Sequence, residues 1–398
     1  TVWDARSAGF LSGDHHFHLN YGGPFGLDPE DLPLMMRGEN LDVATPLLAN
    51  LHTRFEDQKL WGWEKGDDPP LIRFGQEVRS HFLGHVALLD TSTFFWPWIW
   101  GPGYQVYGSD DRPNSDALSH ARSQGAIGGY VHPVGDSDPF APENAANPPV
   151  LLAVDGILGN MDWLELAVLW SDEIGASEMW YRFLNVGSPI LLSAGTDAMA
   201  NFYRTMPLGV SRLYVQTGGE TSMAAYMEAM KEGRSFVTTG PMLDFKLDGA
   251  TPGDVVSGEV SARFKIDLAS AVSVDSVEVI VNGLVVWSGP GLDGAGSRTY
   301  EGSIDLPAAG WVAVRAHGGE TVWPAADSYS FAHTSPVWIE SVGSVAADAF
   351  QRAAEELMPL VDAAEARLRE SYGDVATPRI LADFEAARAK LMARIQRP

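Results

Sequence analysis

Along the first 240 residues, short apolar runs rich in β-branched and aromatic residues alternate with stretches whose apolar positions recur at helical spacing. The predicted strands are Phe10 to Leu19, Leu41 to Thr45, Leu71 to Val78, Gly84 to Leu89, Ala126 to Val131, Trp163 to Val168, Ile190 to Ser193 and Leu213 to Gln216. Ser115 to Gln124, Asp172 to Val186 and Thr221 to Glu232 carry the helical period. Such alternation predicts a parallel α/β sheet or barrel. The loops Trp61 to Pro70, Phe94 to Asn114 and Pro133 to Pro149 are long and rich in Gly and Pro, as functional loops are.

After Gly240-Pro241 the period changes to two. Ala262, Phe264, Ile266 and Leu268 alternate with polar neighbours, as do Val277, Val279 and Val281, and Asn282-Gly283 supplies a tight turn before Leu284 to Trp287. With Trp311 to Ala316 and Tyr329 to Phe331, this predicts a β-sandwich. From Ser344 the helical period returns, with Phe350, Ala353, Leu357, Leu360, Ala364 and Leu368 on one stripe that Pro359 is expected to kink or break. Thr377-Pro378 reads as the start of a last helix with Leu381, Phe384, Leu391 and Ile395 facing inward. The organisation expected is an α/β barrel over residues 1–241, a sandwich over 242–336 and a helical hairpin over 344–398.

Composition narrows the function. The 398 residues include 52 acidic against 27 basic ones, a formal net charge of -25, and no cysteine. An acidic surface repels a polyanion, so no nucleic-acid partner is expected. Without cysteine there are no disulfides, thiolate metal sites or thiol nucleophile. No apolar run approaches a membrane span, and no signal-peptide pattern opens the chain. A start at Thr1 predicts a processed or truncated chain with a segment upstream.

Three of the ten histidines fall in Asp14-His15-His16-Phe17-His18. On a strand, Asp14, His16 and His18 share one face while His15 and Phe17 point away, so two imidazoles at i and i+2 can chelate one ion. Further candidates close or follow other strands: Glu77, His85, His132 before Pro133, and Asp197 in Gly195-Thr196-Asp197. Loops after the strands of an α/β barrel converge on its active site. Each of these residues alone is more often a satisfied loop histidine or a capping acid. A Glu between nitrogen-rich sites can hold ions roughly 3.5 to 4 Å apart, and a metal lowers the pKa of its water from about 15.7 to near 7. Imidazole and carboxylate suit Zn, Mn, Fe or Co alike.

The order of these motifs resembles the polymerase and histidinol phosphatase (PHP) superfamily. Ser12 to Gly23 and Ala194 to Phe202 look like its CehA/McbA, carbaryl hydrolase-like branch, helped by Gly129 to Pro133, Glu178 to Arg182 and Gly233 to Pro241. The resemblance implies a distorted (β/α)7-type PHP barrel ahead of the β-sandwich and the C-terminal helical segment. It implies a first metal held by His16, His18 and Asp197, and Glu77 bridging to a second held by His85 and His132. Met199 stands where three-metal members carry a histidine, and no histidine lies between His18 and His52, so two divalent ions are expected. It further implies relatives with an extra N-terminal domain and a secretion signal. A soluble bacterial protein is expected, with a periplasmic or secreted location, an upstream domain and a homo-oligomer left as open alternatives.

Asp14 is a candidate to orient a ligand or accept a proton. Asn20, Tyr21, His52, Asp172 and Asn201 are candidates for hydrogen bonds around the metals or to substrate. His81 competes with His85 as ligand, while His317 and His333 read as structural. Phe95, Trp96, Trp98 and Trp100 either pack onto the barrel or form a wall for an aromatic leaving group. The function expected is a dinuclear hydrolase in which metal-bound hydroxide cleaves a carbamate, ester or amide of a small, plausibly aryl, molecule. The net charge tilts that choice toward a neutral substrate. Two alternatives stand beside it: a PHP-type phosphoesterase, with Arg79 and Arg204 near the motifs, and a non-catalytic extracellular binding module.

Overall fold

The computed structural model describes residues 3–21, 25–49, 55–66, 68–103, 110–202, 206–320, 322 and 329–395. His52 and Arg204 lie outside them. The strand Phe10–His18 is buried along its whole length. It runs parallel to Val43–Leu48 on one side and antiparallel to Arg212–Gln216 on the other. The sheet continues from Val43–Leu48 through Leu71–Arg73 and Gly75–Val78, Val86–Leu89, Ile127–Tyr130 and Trp163–Ala167 to Leu191–Ala194.

The far end of this sheet curls back to its beginning. After Leu191–Ala194 the chain turns at Gly195, and Ala198–Met199 pairs parallel with Phe17 and His18. The approach is so close that a Cβ at Gly195 would lie 2.3 Å from the Cβ of His16. Only glycine allows the last strand of the curl to reach the first.

The sheet departs from the regular parallel alternation expected. Val86–Leu89 runs antiparallel to both of its neighbours, Gly75–Val78 and Ile127–Tyr130. The segment from Arg79 to His85 is too short for a crossover, since parallel neighbours need about a dozen connecting residues or more. Helices Ser115–Arg122, Leu152–Leu158, Glu173–Asn185 and Met223–Lys231 flank the sheet. Asp172, a candidate for a role at the site, caps Glu173–Asn185 by accepting from the Gly175 amide at 2.9 Å.

Ser235–Thr238 pairs with Ser330–Thr334, so one ladder runs from the curled sheet into the β-rich region that follows. There Met242–Leu247, Ser261–Ser270 and Gly296–Asp305 form a second antiparallel sheet. Leu243, Phe245, Phe264, Ile266 and Leu268 pack against Val277, Val279 and Val314. Asn282 and Gly283 take positive φ of 50° and 81°, as a two-residue hairpin turn requires. The strand after that turn extends to Leu292 rather than ending at Trp287.

Helix Ala347–Tyr372 runs through Pro359 without ending, with its expected stripe from Phe350 to Leu368 buried. Pro359 and Glu355 sit on the exposed face, where water can satisfy the carbonyl left without a donor. In Pro378–Ile395 the buried stripe is Ile380, Phe384, Ala387 and Leu391, with Leu381 half-buried. The amides of Arg379 and Ile380 donate to Asp111, a cap supplied from a distant loop. Among the described residues no helix is long and apolar enough to cross a membrane.

Candidate metal centre

Strand alternation places His16 and His18 on the inner face of Phe10–His18 and turns His15 outward. Their ring nitrogens are then oriented by groups behind them. His16 Nδ1 lies 3.1 Å from Glu165 Oε2, and His18 Nδ1 donates to the Leu47 carbonyl at 2.9 Å. With both Nδ1 atoms engaged, both Nε2 atoms point at the same space.

Glu77 and Asp197 both reach that space. Asp197 Oδ1 is 3.3 Å from His16 Nε2 and 3.4 Å from His18 Nε2, while Oδ2 is 4.0 Å from His132 Nε2. Glu77 divides its oxygens in the same way: Oε2 is 3.4 Å from His18 Nε2, and Oε1 is 2.7 Å from His85 Nδ1 and 3.8 Å from His132 Nε2. The donor atoms form three overlapping groups, each within 4.8 Å: His16, His132 and Asp197; His16, His18 and Glu77; Glu77, His85 and His132. These are the six ligand candidates of the sequence, sharing members more widely than two separate sites would.

Hydrogen bonding tests whether this set suits cations. His16 Nε2, Glu77 Oε2 and His85 Nδ1 are buried and make no well-aligned hydrogen bond, although His85 Nδ1 approaches Glu77 Oε1 to 2.7 Å. Buried polar atoms are ordinarily paired, because leaving one unpaired costs about 1 to 3 kcal/mol. Three such atoms facing one another, from imidazole and carboxylate, fit divalent cations. His132 and Asp197 also hold left-handed backbone conformations, with φ of 36° and 48°, the kind of strain that collects at functional sites. Their side chains, 19% and 11% exposed, are the open side of the cluster.

The electrostatics carry the same imprint. Burial alone would lower the His16 pKa, but Glu165, Asp197 and Glu77 outweigh it and push it up to about 10. Burial would raise Asp197, yet His16, His18 and His132 bring it down to about 2. A proton on His16 therefore occupies the charge position that a metal ion would take.

The remaining candidates divide. Asp14 belongs to none of the ligand groups and accepts from Thr196 Oγ1 at 2.7 Å, the Gly209 amide at 2.8 Å and the amides of Thr196 and His16. It ties the Gly195-Thr196-Asp197 turn to the first strand, and burial pushes its pKa up to about 6 against those bonds. Asn20 exchanges two hydrogen bonds with the backbone of Leu27, and Asn201 accepts from the Tyr21 amide and donates to the Phe25 carbonyl. Both hold the loop after the first strand. The Tyr21 ring lies 4.9 Å from that of His18, tilted by 46°. His81 sits behind His85, its Nδ1 3.0 Å from His85 Nε2, and belongs to none of the ligand groups.

The aromatic segment is mostly core. Phe95, Trp98 and Trp100 are buried in hydrophobic clusters, and Gln76 clamps the Phe95 backbone in both directions. Trp96, 54% exposed, stands apart from them. The expected wall is thus a packing element for three of its four rings.

Two residues carry more than their sequence context suggested. Glu165 orients His16 and also accepts from the His132 amide at 2.8 Å, tying two ligands together. Its signal was an acid within the apolar strand Trp163-Leu164-Glu165-Leu166-Ala167. Arg79, only 7% exposed, brings a guanidinium to the edge of the cluster.

No protein-family model and no curated protein matches the chain. Among solved structures it is similar to a two-domain protein containing a predicted PHP-like metal-dependent phosphoesterase from Bacteroides vulgatus, at 15% identity over 82% of this chain and 95% of that one, TM-score 0.37. It is also similar to PsfC from Pseudomonas syringae, at 13% identity over 56% and 88%, TM-score 0.35. At such identities and scores, the reading of the site rests on its own geometry.

Proposed function

We propose that the chain is a metal-dependent hydrolase of the PHP type, with His16, His18, Glu77, His85, His132 and Asp197 holding divalent cations. The observation that carries this is the convergence of unpaired, buried imidazole and carboxylate atoms on one partly open space. Bound divalent ions would supply Lewis acidity and a water ionised near neutral pH. The chain's own residues do the positioning. Glu165 and the Leu47 carbonyl keep protons on the Nδ1 side of His16 and His18, which leaves Nε2 lone pairs for ligation. Asp14 holds Asp197 against the first strand through Thr196.

Such a centre can act on a carbamate, ester or amide of a small molecule, the reading favoured by the overall charge. A phosphoester fits at least as well, and one observation favours it: the Arg79 guanidinium beside the ligands. The test is metal analysis of wild type and His132→Ala, coupled to hydrolysis of an aryl ester, an aryl carbamate and an aryl phosphate. Wild type should retain divalent metal and cleave at least one of the three. The variant should lose metal and fall in rate by more than the roughly 10- to 100-fold typical of groups that merely support ligands. A wild-type protein that takes up no divalent ion overturns the reading.

A further inference from the structure

Tyr21 follows the first strand and is held by three separate segments. Its amide donates at 3.3 Å to Asn201 Oδ1, on the segment just beyond Asp197. Its ring lies 4.9 Å from that of His18. Its hydroxyl accepts from Arg79 Nη2 at 3.2 Å, on the segment just beyond Glu77. Each restraint comes from a stretch that carries a ligand candidate, so the side chain is placed by the same geometry that assembles the cluster.

Arg79 makes the last of these restraints firm. Its amide donates to the Trp98 carbonyl at 2.7 Å, and its carbonyl accepts from Trp100 at 3.2 Å. Nε lies 3.7 Å from Glu77 Oε1, and Nε and Nη1 are buried without a hydrogen bond of their own. The hydrogen bond that the guanidinium does make is the one to Tyr21. Because that bond takes a lone pair of the phenolic oxygen, the free end of the group is its proton. Among the described residues that proton has no acceptor, and Tyr21 is only half-buried. Accepting from a cation also polarises the hydroxyl and strengthens it as a donor.

We propose that Tyr21 is a catalytic residue whose hydroxyl donates a hydrogen bond to the leaving-group oxygen as that oxygen departs. The inference rests on the hydrolase reading and adds to it the group that stabilises departure. In the step, water adds to the reacting carbon or phosphorus, the bond from that centre to the leaving oxygen breaks, and its electron pair stays on that oxygen. A proton of the water ends on the leaving group or in solvent, and the tyrosine emerges unchanged. Arg79 is a positioning residue that acts through Tyr21 without touching substrate. A fixed donor contributes most where charge develops, and removing one typically costs about 100- to 1,000-fold in kcat. The role is the same for an ester, a carbamate or a phosphoester, since each expels an oxygen.

The experiment compares wild type with Tyr21→Phe, which keeps the ring beside His18 and removes only the hydroxyl. Melting temperature and metal content should match. The substrates are the phenyl and 4-nitrophenyl forms of an acetate, an N-methylcarbamate and a phosphate. Phenolate is the less stable anion, so kcat should fall by about 100-fold or more with the phenyl leaving group and by about tenfold or less with 4-nitrophenyl. A second readout needs no turnover: binding of 4-nitrophenolate, followed by its absorbance, should weaken about tenfold or more, the size of a hydrogen bond to a charged group. Arg79→Lys should reproduce part of the leaving-group dependence in wild type and add none in Tyr21→Phe, as expected of two residues acting as a unit. An equal loss on both leaving groups, no loss, unchanged 4-nitrophenolate binding or a variant that loses metal overturns the proposal and leaves the hydrolase reading standing. A wild type that takes up no divalent ion, or that cleaves none of the six substrates, overturns that reading and this proposal with it.

Discussion

His15 and His16 are consecutive in one strand and both fully buried, yet their rings end in opposite surroundings. His15 points outward to Ser193 Oγ and the Tyr226 hydroxyl, each at 2.9 Å, so both nitrogens are satisfied within the protein. His16 points inward, with Glu165 behind it and an unpaired Nε2 in front. Burial lowers the His15 pKa to about 3, whereas the acids around His16 reverse the effect of burial. His333 repeats the first pattern, between the Tyr181 hydroxyl at 2.6 Å and the Thr334 carbonyl at 2.8 Å. Burial of an imidazole therefore says little about ligation. What separates the two classes is whether the lone pair already has a partner.

The contrast can be broken most directly by paired substitutions in the first strand. His16→Ala should cost metal and hydrolytic activity, the latter by well over about 100-fold. His15→Ala should do the reverse: metal content stays, while stability falls by roughly 2 to 4 kcal/mol because a cavity opens and Ser193 and Tyr226 lose a buried partner. Chemical denaturation and metal analysis of both proteins decide the matter, and matching profiles would erase the distinction.

A smaller effect is expected behind the cluster. Glu165→Ala removes the group that sets the His16 tautomer and steadies the His132 backbone. Metal affinity should drop by about 10- to 100-fold with all six ligand candidates intact, measured by competition with a chelating dye. Unchanged affinity would mean that the cluster orients itself.

The smallest effect extends the comparison to carboxylates. Asp197 is held low by histidines, whereas burial pushes Asp155 up from 3.8 to about 7 despite hydrogen bonds from Tyr130 and Asn160. A pKa raised in the folded state gives stability that is complete below about 3.8 and lost as pH climbs toward 7. Asp155→Asn should flatten that loss, so that the variant gains on wild type between pH 4 and pH 8 in thermal melts. Parallel melting profiles across that range would count against it.

Much of this was legible in the chain. Two-residue alternation around His16 and His18 separates them from His15 whatever the fold, and the strand-end positions of Glu77, His85, His132 and Asp197 mark them as a group. The roles of Asp14, Asn20 and Asn201 were not legible. An acid or amide beside a ligand looks the same in sequence whether it faces the centre or holds a loop, and here the donors that claim Asp14 come from Thr196 and Gly209. Nor did the aromatic density of Phe94 to Trp100 distinguish a substrate wall from core, because both favour the same residues.

The sequence by itself determined the periodicities, hence which side chains share a face, and the chemical character of the ligand set, imidazole and carboxylate without thiolate. Those properties depend on neighbours along the chain. Only the tertiary structure decided that Glu165 would stand behind His16, that Gly195 would let the curl close onto the first strand, and that Arg79 would reach the cluster with donors unused. Each of these depends on which atoms from remote segments come within about 3 Å of one another, the range over which hydrogen bonds are made or missed.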